Sequence, residues 1–231
     1  MGVMCEIVCG DGATLIDDGI RRIRELGLLP VIVTDPPFNI GYKYKRYRDR
    51  MPEDEYFRWL ADITSKCASV VVHYPDSMHR LSIAKGEAPI RVVSWVYNSN
   101  TARQHRDIAF YGIKPDFRRV KQAYKNPNDK RIRALMAQGK GAKLYDWWNV
   151  NQVKNVSGEK TAHPCQMPVE VMSNVIGILP DGIGVIDPFC GSGTTGVACK
   201  MRNVPFIGVD SDPEYCEIAR RRMSNICGHS K

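Results

Sequence analysis

The chain predicts an α/β protein whose mainly parallel sheet is covered by helices on both faces, and three observations carry that prediction. Short apolar, β-branched runs alternate with amphipathic helical segments along most of its length. One run, Val185-Ile186-Asp187, passes directly into Pro188-Phe189-Cys190-Gly191-Ser192-Gly193-Thr194-Thr195-Gly196, a small-residue turn that opens a helix. Another, Val31-Ile32-Val33-Thr34, ends in Asp35-Pro36-Pro37-Phe38. Consecutive prolines cannot donate ladder hydrogen bonds, so the strand must stop there and project a rigid tip.

The elements follow in order. Glu6 to Cys9 reads as a short strand into the Gly10-Asp11 turn, and Ala13 to Leu26 as an amphipathic helix ending at Gly27. After the Val31 strand, Asp54 to Cys67 sets Phe57, Leu60, Ala61 and Thr64 at helical spacing. Ala68 to His73 is a buried strand, followed by a helix from Pro75 to Lys85, and Ile90 to Tyr97 and Asp107 to Tyr111 are further strands. Past Pro115 periodicity is lost until about Thr161, with turn signals at Asn126-Pro127-Asn128-Asp129 and Gly139-Lys140-Gly141. The paired tryptophans Trp147 and Trp148 are expected to anchor this stretch to the core. Val169 to Leu179 is a helix, and after the Val185 strand a helix starts at Gly193. Pro205 to Val209 is a strand ending in Asp210, and the last helix takes Asp212 as N-cap with Pro213 at its first position.

Two of these turns have the residues a ligand needs. Small residues after the Val185 strand let backbone N–H groups approach a bound group closely. Asp210, about twenty residues on, sits where an acidic side chain accepts from ribose hydroxyls. The loop lacks the third glycine of a dinucleotide fingerprint, which favours a nucleoside without a pyrophosphate over NAD. Packing alone also accounts for a glycine-rich turn, and Asp-Pro-Pro also suits an ordinary strand end.

In combination the motifs are specific. Asp35-Pro36-Pro37-Phe38 resembles the catalytic motif of amino-group DNA methyltransferases, and Asp187 to Thr195 resembles their S-adenosylmethionine loop. Cys9-Gly10-Asp11 with Leu15 is similar to the turn ahead of the family's catalytic strand, and Glu159 to Pro168 to the segment ahead of its cofactor strand. Arg106 to Gly112 resembles a late sheet strand. The catalytic motif precedes the cofactor motif, the order of the permuted β-type enzymes. The resemblance implies a three-layer, Rossmann-like, S-adenosylmethionine-dependent fold in one domain, residues 1–231, with seven strands, one of them antiparallel near the edge.

It also implies transfer of a methyl group to the exocyclic N6 of adenine in duplex DNA. That amine is a poor nucleophile, because its lone pair is delocalised into the ring. Asp35 and the Pro36 carbonyl would accept its hydrogens and localise the pair, Pro36 and Pro37 would hold that geometry, and Phe38 would stack on the flipped base. Asp187, Pro188, Phe189, Gly191, Ser192, Gly193, Thr194 and Thr195 would surround the methionine moiety, with Asp210 on the ribose. Asp11 is the candidate for the cofactor's adenine, and Lys160 and His163 for its amino-acid end. His73, His79, His105 and His229 are assigned no chemistry. Phe38 departs from the commoner tyrosine, keeping the ring face and losing a hydroxyl. Asp-Pro-Pro is the usual adenine form, whereas N4-cytosine enzymes more often begin with serine. N4-cytosine methylation is the alternative, and a catalytically inactive DNA-binding module of the same fold is the alternative outside enzymes.

Composition sets the remaining expectations. Of 231 residues, 43% are apolar and 25% charged, which describes one globular domain without a membrane span. The N-terminus has no basic region followed by an apolar stretch, which predicts no secretory signal and a cytoplasmic protein of a bacterial or phage-infected cell. Eight cysteines form no Cys-x-x-Cys, which predicts free thiols and no metal site. The formal charge is +8, and Lys114 to Lys160 carries all of it. That concentration favours a polyanion contact, and residues 115–160 resemble in position the family's target-recognition insert, which implies Arg118, Arg119, Lys121 and Lys125 on phosphates and, if the insert reads bases, Arg131 and Arg133 on them. A second cluster, Tyr42 to Arg50, alternates tyrosines with Lys43, Lys45, Arg46 and Arg48 beside the catalytic tip, which suits contact with duplex DNA. A homodimer that helps grip the duplex fits the family, in a restriction–modification or a solitary setting.

Overall fold

The computed structural model describes residues 3–44, 47–155 and 157–226, so Lys45 and Arg46 of the second basic cluster lie outside the described residues. Ten strands form: β1 (Cys5–Cys9), β2 (Leu29–Thr34), β3 (Ala68–His73), β4 (Arg91–Val96), β5 (His105–Tyr111), β6 (Lys121–Gln122), β7 (Ala142–Lys143), β8 (Trp147–Asn149), β9 (Ile183–Asp187) and β10 (Phe206–Asp210). The helices are α1 (Gly12–Glu25), α2 (Glu53–Thr64), α3 (Pro75–Lys85), α4 (Lys130–Ala137), α5 (Val169–Ile178), α6 (Thr194–Met201) and α7 (Pro213–Ser224).

Eight strands make the main sheet in the order β1-β10-β9-β2-β3-β5-β4-β8, with β6 and β7 in a separate two-stranded ribbon. β5 is antiparallel to both β3 and β4, and the other pairings are parallel. The seven expected strands are therefore present with one reversed. An eighth, β8, extends the β4 edge, because Trp148 is buried there while Trp147 stays 51% exposed.

Alternation along the strands sorts the two helical layers. Ile32, Ile186 and Ile207 turn to one face, where they meet Ile16, Ile20 and Ile23 of α1. Val31, Val33 and Val185 turn to the other, against Val171, Met172 and Val175 of α5 and Val197 and Ala198 of α6. On the α1 side, Tyr56, Phe57 and Leu60 of α2 cover Val71 and Ala109. Each such aliphatic side chain contributes about 2 kcal/mol through burial, so the sheet holds both layers without a specific polar contact.

β2 and β9 are neighbours in the middle of the sheet, and each ends in one of the two motifs. Strand order reverses there, which opens a crevice beyond their carboxyl ends. The segment from 115 to 160 divides about that axis. Because β5 is reversed, it delivers the chain to the amino-terminal edge of the sheet. There the Asp116 N–H donates to the Ile178 carbonyl at 2.8 Å, and Arg119 pairs with Asp181. The ribbon of β6 and β7 and the exposed α4 branch from this stem, and α4 is capped by Asp129. β8 then returns parallel to β4, and residues 150–168 cross the carboxyl-terminal end toward α5. Among the described residues no helix is long and apolar enough to cross a membrane.

Candidate active site

A cleft opens at the carboxyl ends of β1, β2, β9 and β10. Asp35, Pro36, Pro37 and Phe38 line it from one side, and Pro188, Phe189, Gly191 and Asp210 from the other. The two motifs are locked together below its floor. The Thr34 hydroxyl donates to Asp187 Oδ1 at 2.8 Å, the Thr195 hydroxyl to Oδ2 at 2.7 Å and the Phe189 N–H to Oδ1 at 3.1 Å. Burial raises the Asp187 carboxyl to about 6, against the lowering by these three donors. Asp187 thus ties β2, the cofactor loop and α6 into one unit.

The catalytic tip rests on a relay. The Tyr74 N–H donates to His73 Nδ1 at 2.8 Å, so the ring proton lies on Nε2, which donates to the Tyr56 hydroxyl at 2.8 Å. That hydroxyl donates in turn to the Pro37 carbonyl at 2.7 Å. Burial, with Arg106 nearby, lowers His73 to about 3, so the imidazole is neutral at physiological pH. Phe38 stacks on the same ring, with centroids 4.3 Å apart and planes 17° apart, and the Arg106 guanidinium lies over Phe38 at 4.7 Å.

Asp35 is buried, which pushes its carboxyl up to about 7 despite the lowering by Arg106, whose NH1 lies 3.6 Å from Oδ2. Asp35 Oδ1 is buried without a hydrogen-bond partner. A buried acceptor left unpaired on a residue that lines the cleft is what a further donor would satisfy. Above it, the loop after Phe38 is clamped by Asp49, whose buried carboxylate accepts the N–H groups of Asn39, Ile40 and Tyr42 at 2.8, 3.1 and 3.0 Å. Lys43 bridges Arg48 in antiparallel fashion, both exposed, while Tyr44 and Tyr47 line the cleft.

The opposite wall is built on close backbone approach. A Cβ on Gly12 would sit 2.0 Å from the Pro188 carbonyl oxygen, so only glycine lets α1 start against the loop. Gly193 has φ +77° as the N-cap of α6, and a Cβ there would lie 2.6 Å from that of Ala219 on α7. Asp210 accepts one backbone N–H on each oxygen, from Gly191 and Asp212, both at 2.9 Å. One lone pair per oxygen remains, which fits the two hydroxyls of a ribose.

These motifs and their order lie within a longer match. The family model described as DNA methylase covers residues 29–221. The chain belongs to the DNA methylase family. M.BglII, a type II methyltransferase of Bacillus subtilis, is 28% identical over 232 residues, which is 84% of this chain and 63% of that protein. The chain thus spans less than two thirds of the length of that relative. The crystal structure of the M1.HpyAVI–SAM complex matches with a TM-score of 0.56 at 25% identity, covering 95% of this chain and 100% of that one. The cytosine-N4-specific PvuII DNA methyltransferase shares the fold at a TM-score of 0.66 and 16% identity, over 98% of this chain and 89% of that one.

Against this methylase fold the expected site residues sort into three groups. Asp11, Asp35, Pro36, Pro37, Phe38, His163, Pro188, Phe189, Gly191 and Asp210 line the cleft. Asp187, Ser192, Gly193, Thr194, Thr195 and Lys160 lie behind that lining. Asp187 and Thr195 are paired with each other, and Arg222 of α7 donates to the Ser192 carbonyl and to both hydroxyls of Ser192 and Thr194. Lys160 Nζ is tied to the His163 carbonyl at 2.6 Å. These contacts hold the loop in shape. Phe38 has one face covered by His73.

The third group is the basic insert. Arg118 and Arg119, expected on phosphates, stand at the amino-terminal edge of the sheet, paired with Asp116 and Asp181 and away from the cleft. Lys121 lies in the same stem, and Lys125 packs over Tyr145 at 4.8 Å. Arg131 and Arg133 are exposed on α4, outside the cleft. Sequence reasoning missed His73, Tyr56, Arg106, Trp59, Asp49 and Arg222. For His73 the available signal was a polar residue closing an apolar strand at the ligand-binding end of the sheet.

Proposed function

We propose that the chain transfers a methyl group from S-adenosylmethionine to the N6 of adenine flipped out of duplex DNA. The observation that carries this reading is the hydrogen bond from Thr34 to Asp187, which makes the Asp35 tip and the glycine loop two walls of one cleft. The wall residues fit the cofactor: Asp210 has acceptor capacity for a ribose, and Gly12 and Gly191 let Pro188 and His163 pack close in a wall that a Cβ would push apart. When bound, the cofactor supplies an electrophilic methyl on sulfur. The chain's own part is to hold the target amine against Asp35, whose unpaired Oδ1 accepts one hydrogen while the Pro36 carbonyl accepts the other. The Pro37 carbonyl is taken by Tyr56, which keeps the tip from turning.

The Asp-Pro-Pro form supports adenine over cytosine. The rim of Lys43, Arg48 and Arg50 supports contact with the phosphates flanking a flipped base, since all three are exposed beside the cleft and Tyr44 and Tyr47 face inward. The test is tritiated methyl transfer to duplex DNA, followed by digestion to nucleosides and mass identification of the modified base. N6-methyl-2′-deoxyadenosine is the expected product. N4-methyl-2′-deoxycytidine would replace the adenine reading, and no transfer to DNA would overturn the function.

A further inference from the structure

We propose that Arg106 is a positioning residue that keeps Asp35 a charged acceptor for the target amine. The inference rests on the methyltransferase reading for the identity of the amine, but the pairing it describes is a property of the protein alone. β5 is the one reversed strand of the sheet, so its beginning, not its end, arrives at the ligand-binding edge, where Asp107 pairs with His73. Arg106 stands one residue further out and reaches into the cleft. Its guanidinium is held among four rings, 4.7 Å from Phe38, 5.2 Å from Trp95, 5.7 Å from Tyr74 and 5.9 Å from Tyr97. Such a cage suits arginine, which stacks on aromatic faces and keeps its charge when desolvated, and does not suit lysine equally well.

Among the described residues Arg106 pairs with one carboxylate, Asp35, at 3.6 Å, and the side chains of both are 15% exposed. Asp35 Oδ1 and Arg106 Nε are both buried without a partner, so the pair holds one edge of each group and leaves the other edge unused. A second donor on Asp35 completes it, and an exocyclic amine is such a donor. The charge matters because a protonated carboxyl presents an O–H where the amine needs an acceptor. Burial, with Asp187 behind it, drives Asp35 toward that neutral form, and the guanidinium opposes it. The other titratable groups facing Asp35 are Tyr44 of the hairpin, Cys165 of the 150–168 segment, Tyr56 of α2 and Tyr97 beyond β4. All are neutral at physiological pH, so among the described residues Arg106 is the cation of this group.

The experiment compares full-length wild type, Arg106→Lys and Arg106→Met in single-turnover methyl transfer to a duplex oligonucleotide from about pH 5.5 to 9.5. S-adenosylmethionine affinity by calorimetry and circular dichroism serve as controls. In Arg106→Met the acidic limb is expected to move up by about one pH unit or more, so the rate near neutrality falls roughly tenfold and recovers at high pH. Arg106→Lys should keep the limb closer to that of wild type. A Met variant slowed by the same factor at every pH, or with an unmoved limb, overturns the proposal. If the Met variant does not fold, carbon-13 titration of Asp35 in the wild type decides, with its signal assigned by loss in Asp35→Asn. Half-ionisation near neutrality supports the pairing, and a carboxyl still protonated above about pH 8 overturns it. A wild type that transfers no methyl to DNA would overturn the methyltransferase reading, and the carbon titration would still decide the pairing.

Discussion

Thr34 and Asp187 lie 153 residues apart in sequence, and a 2.8 Å hydrogen bond between their side chains joins the ends of β2 and β9. The catalytic tip and the cofactor loop therefore move as one body. Removing the acceptor strands two buried hydroxyls and the Phe189 N–H at once. Asp187→Ala is expected to destabilise the fold by about 3 kcal/mol, and Thr34→Val by about 1 kcal/mol, in denaturant unfolding. Cofactor affinity should fall in both, in the same order. An Asp187→Ala protein as stable as wild type would show that the clasp is not structural.

Asp35 touches the reacting amine in the proposed mechanism and nothing on the cofactor side. Asp35→Ala should lower single-turnover methyl transfer by about a hundredfold or more while calorimetry shows near-normal S-adenosylmethionine affinity. Substantial turnover by the folded variant would place the chemistry elsewhere.

Tyr56 relays between His73 and the Pro37 carbonyl. Tyr56→Phe keeps the ring and loses the relay, at a cost of about 1–2 kcal/mol, and is expected to reduce kcat more than cofactor affinity. Equal effects on both would point to general loosening instead.

The relay also gives a pH dependence of known sign. His73 sits at about 3 when folded, below its ordinary 6.5, so the unfolded chain takes up a proton that the folded chain refuses. Its stabilising effect is complete above pH 6.5 and is lost as the pH falls toward 3. Unfolding free energy in this window should fall more steeply for wild type than for His73→Asn, by up to about 1.4 kcal/mol per pH unit. Parallel curves would mean that His73 titrates normally.

Charge placement separates the two basic clusters. Lys43→Ala and Arg48→Ala should each flatten the salt dependence of DNA binding by about one unit, measured by fluorescence anisotropy at several salt concentrations. Arg118→Ala and Arg119→Ala should leave it close to wild type, because each already faces a carboxylate at the far edge of the sheet. The reverse ranking would move the duplex to that edge.

What could be read along the chain was whatever is encoded locally. Strand and helix identities follow from side-chain period, the stop at Pro36 from a ring that has no N–H, and the backbone approach at Gly191 and Gly193 from the missing Cβ. The boundaries differ little, as with β2 beginning at Leu29 rather than Val31. The placing of Asp35 and Asp210 on the cleft was legible because each closes a strand at the ligand-binding end. Direction and partnership were not encoded locally. The reversal of β5 carries Arg106 to the cleft and the stem of the basic insert away from it, and that depends on pairing between distant strands. That Asp187 accepts from Thr34 and Thr195 could not be read from its place after a strand. His73 looked inert until burial made it neutral and aimed it at Tyr56. A side chain's role here depends on what surrounds it in space, because desolvation and hydrogen-bond partners come from residues far away along the chain.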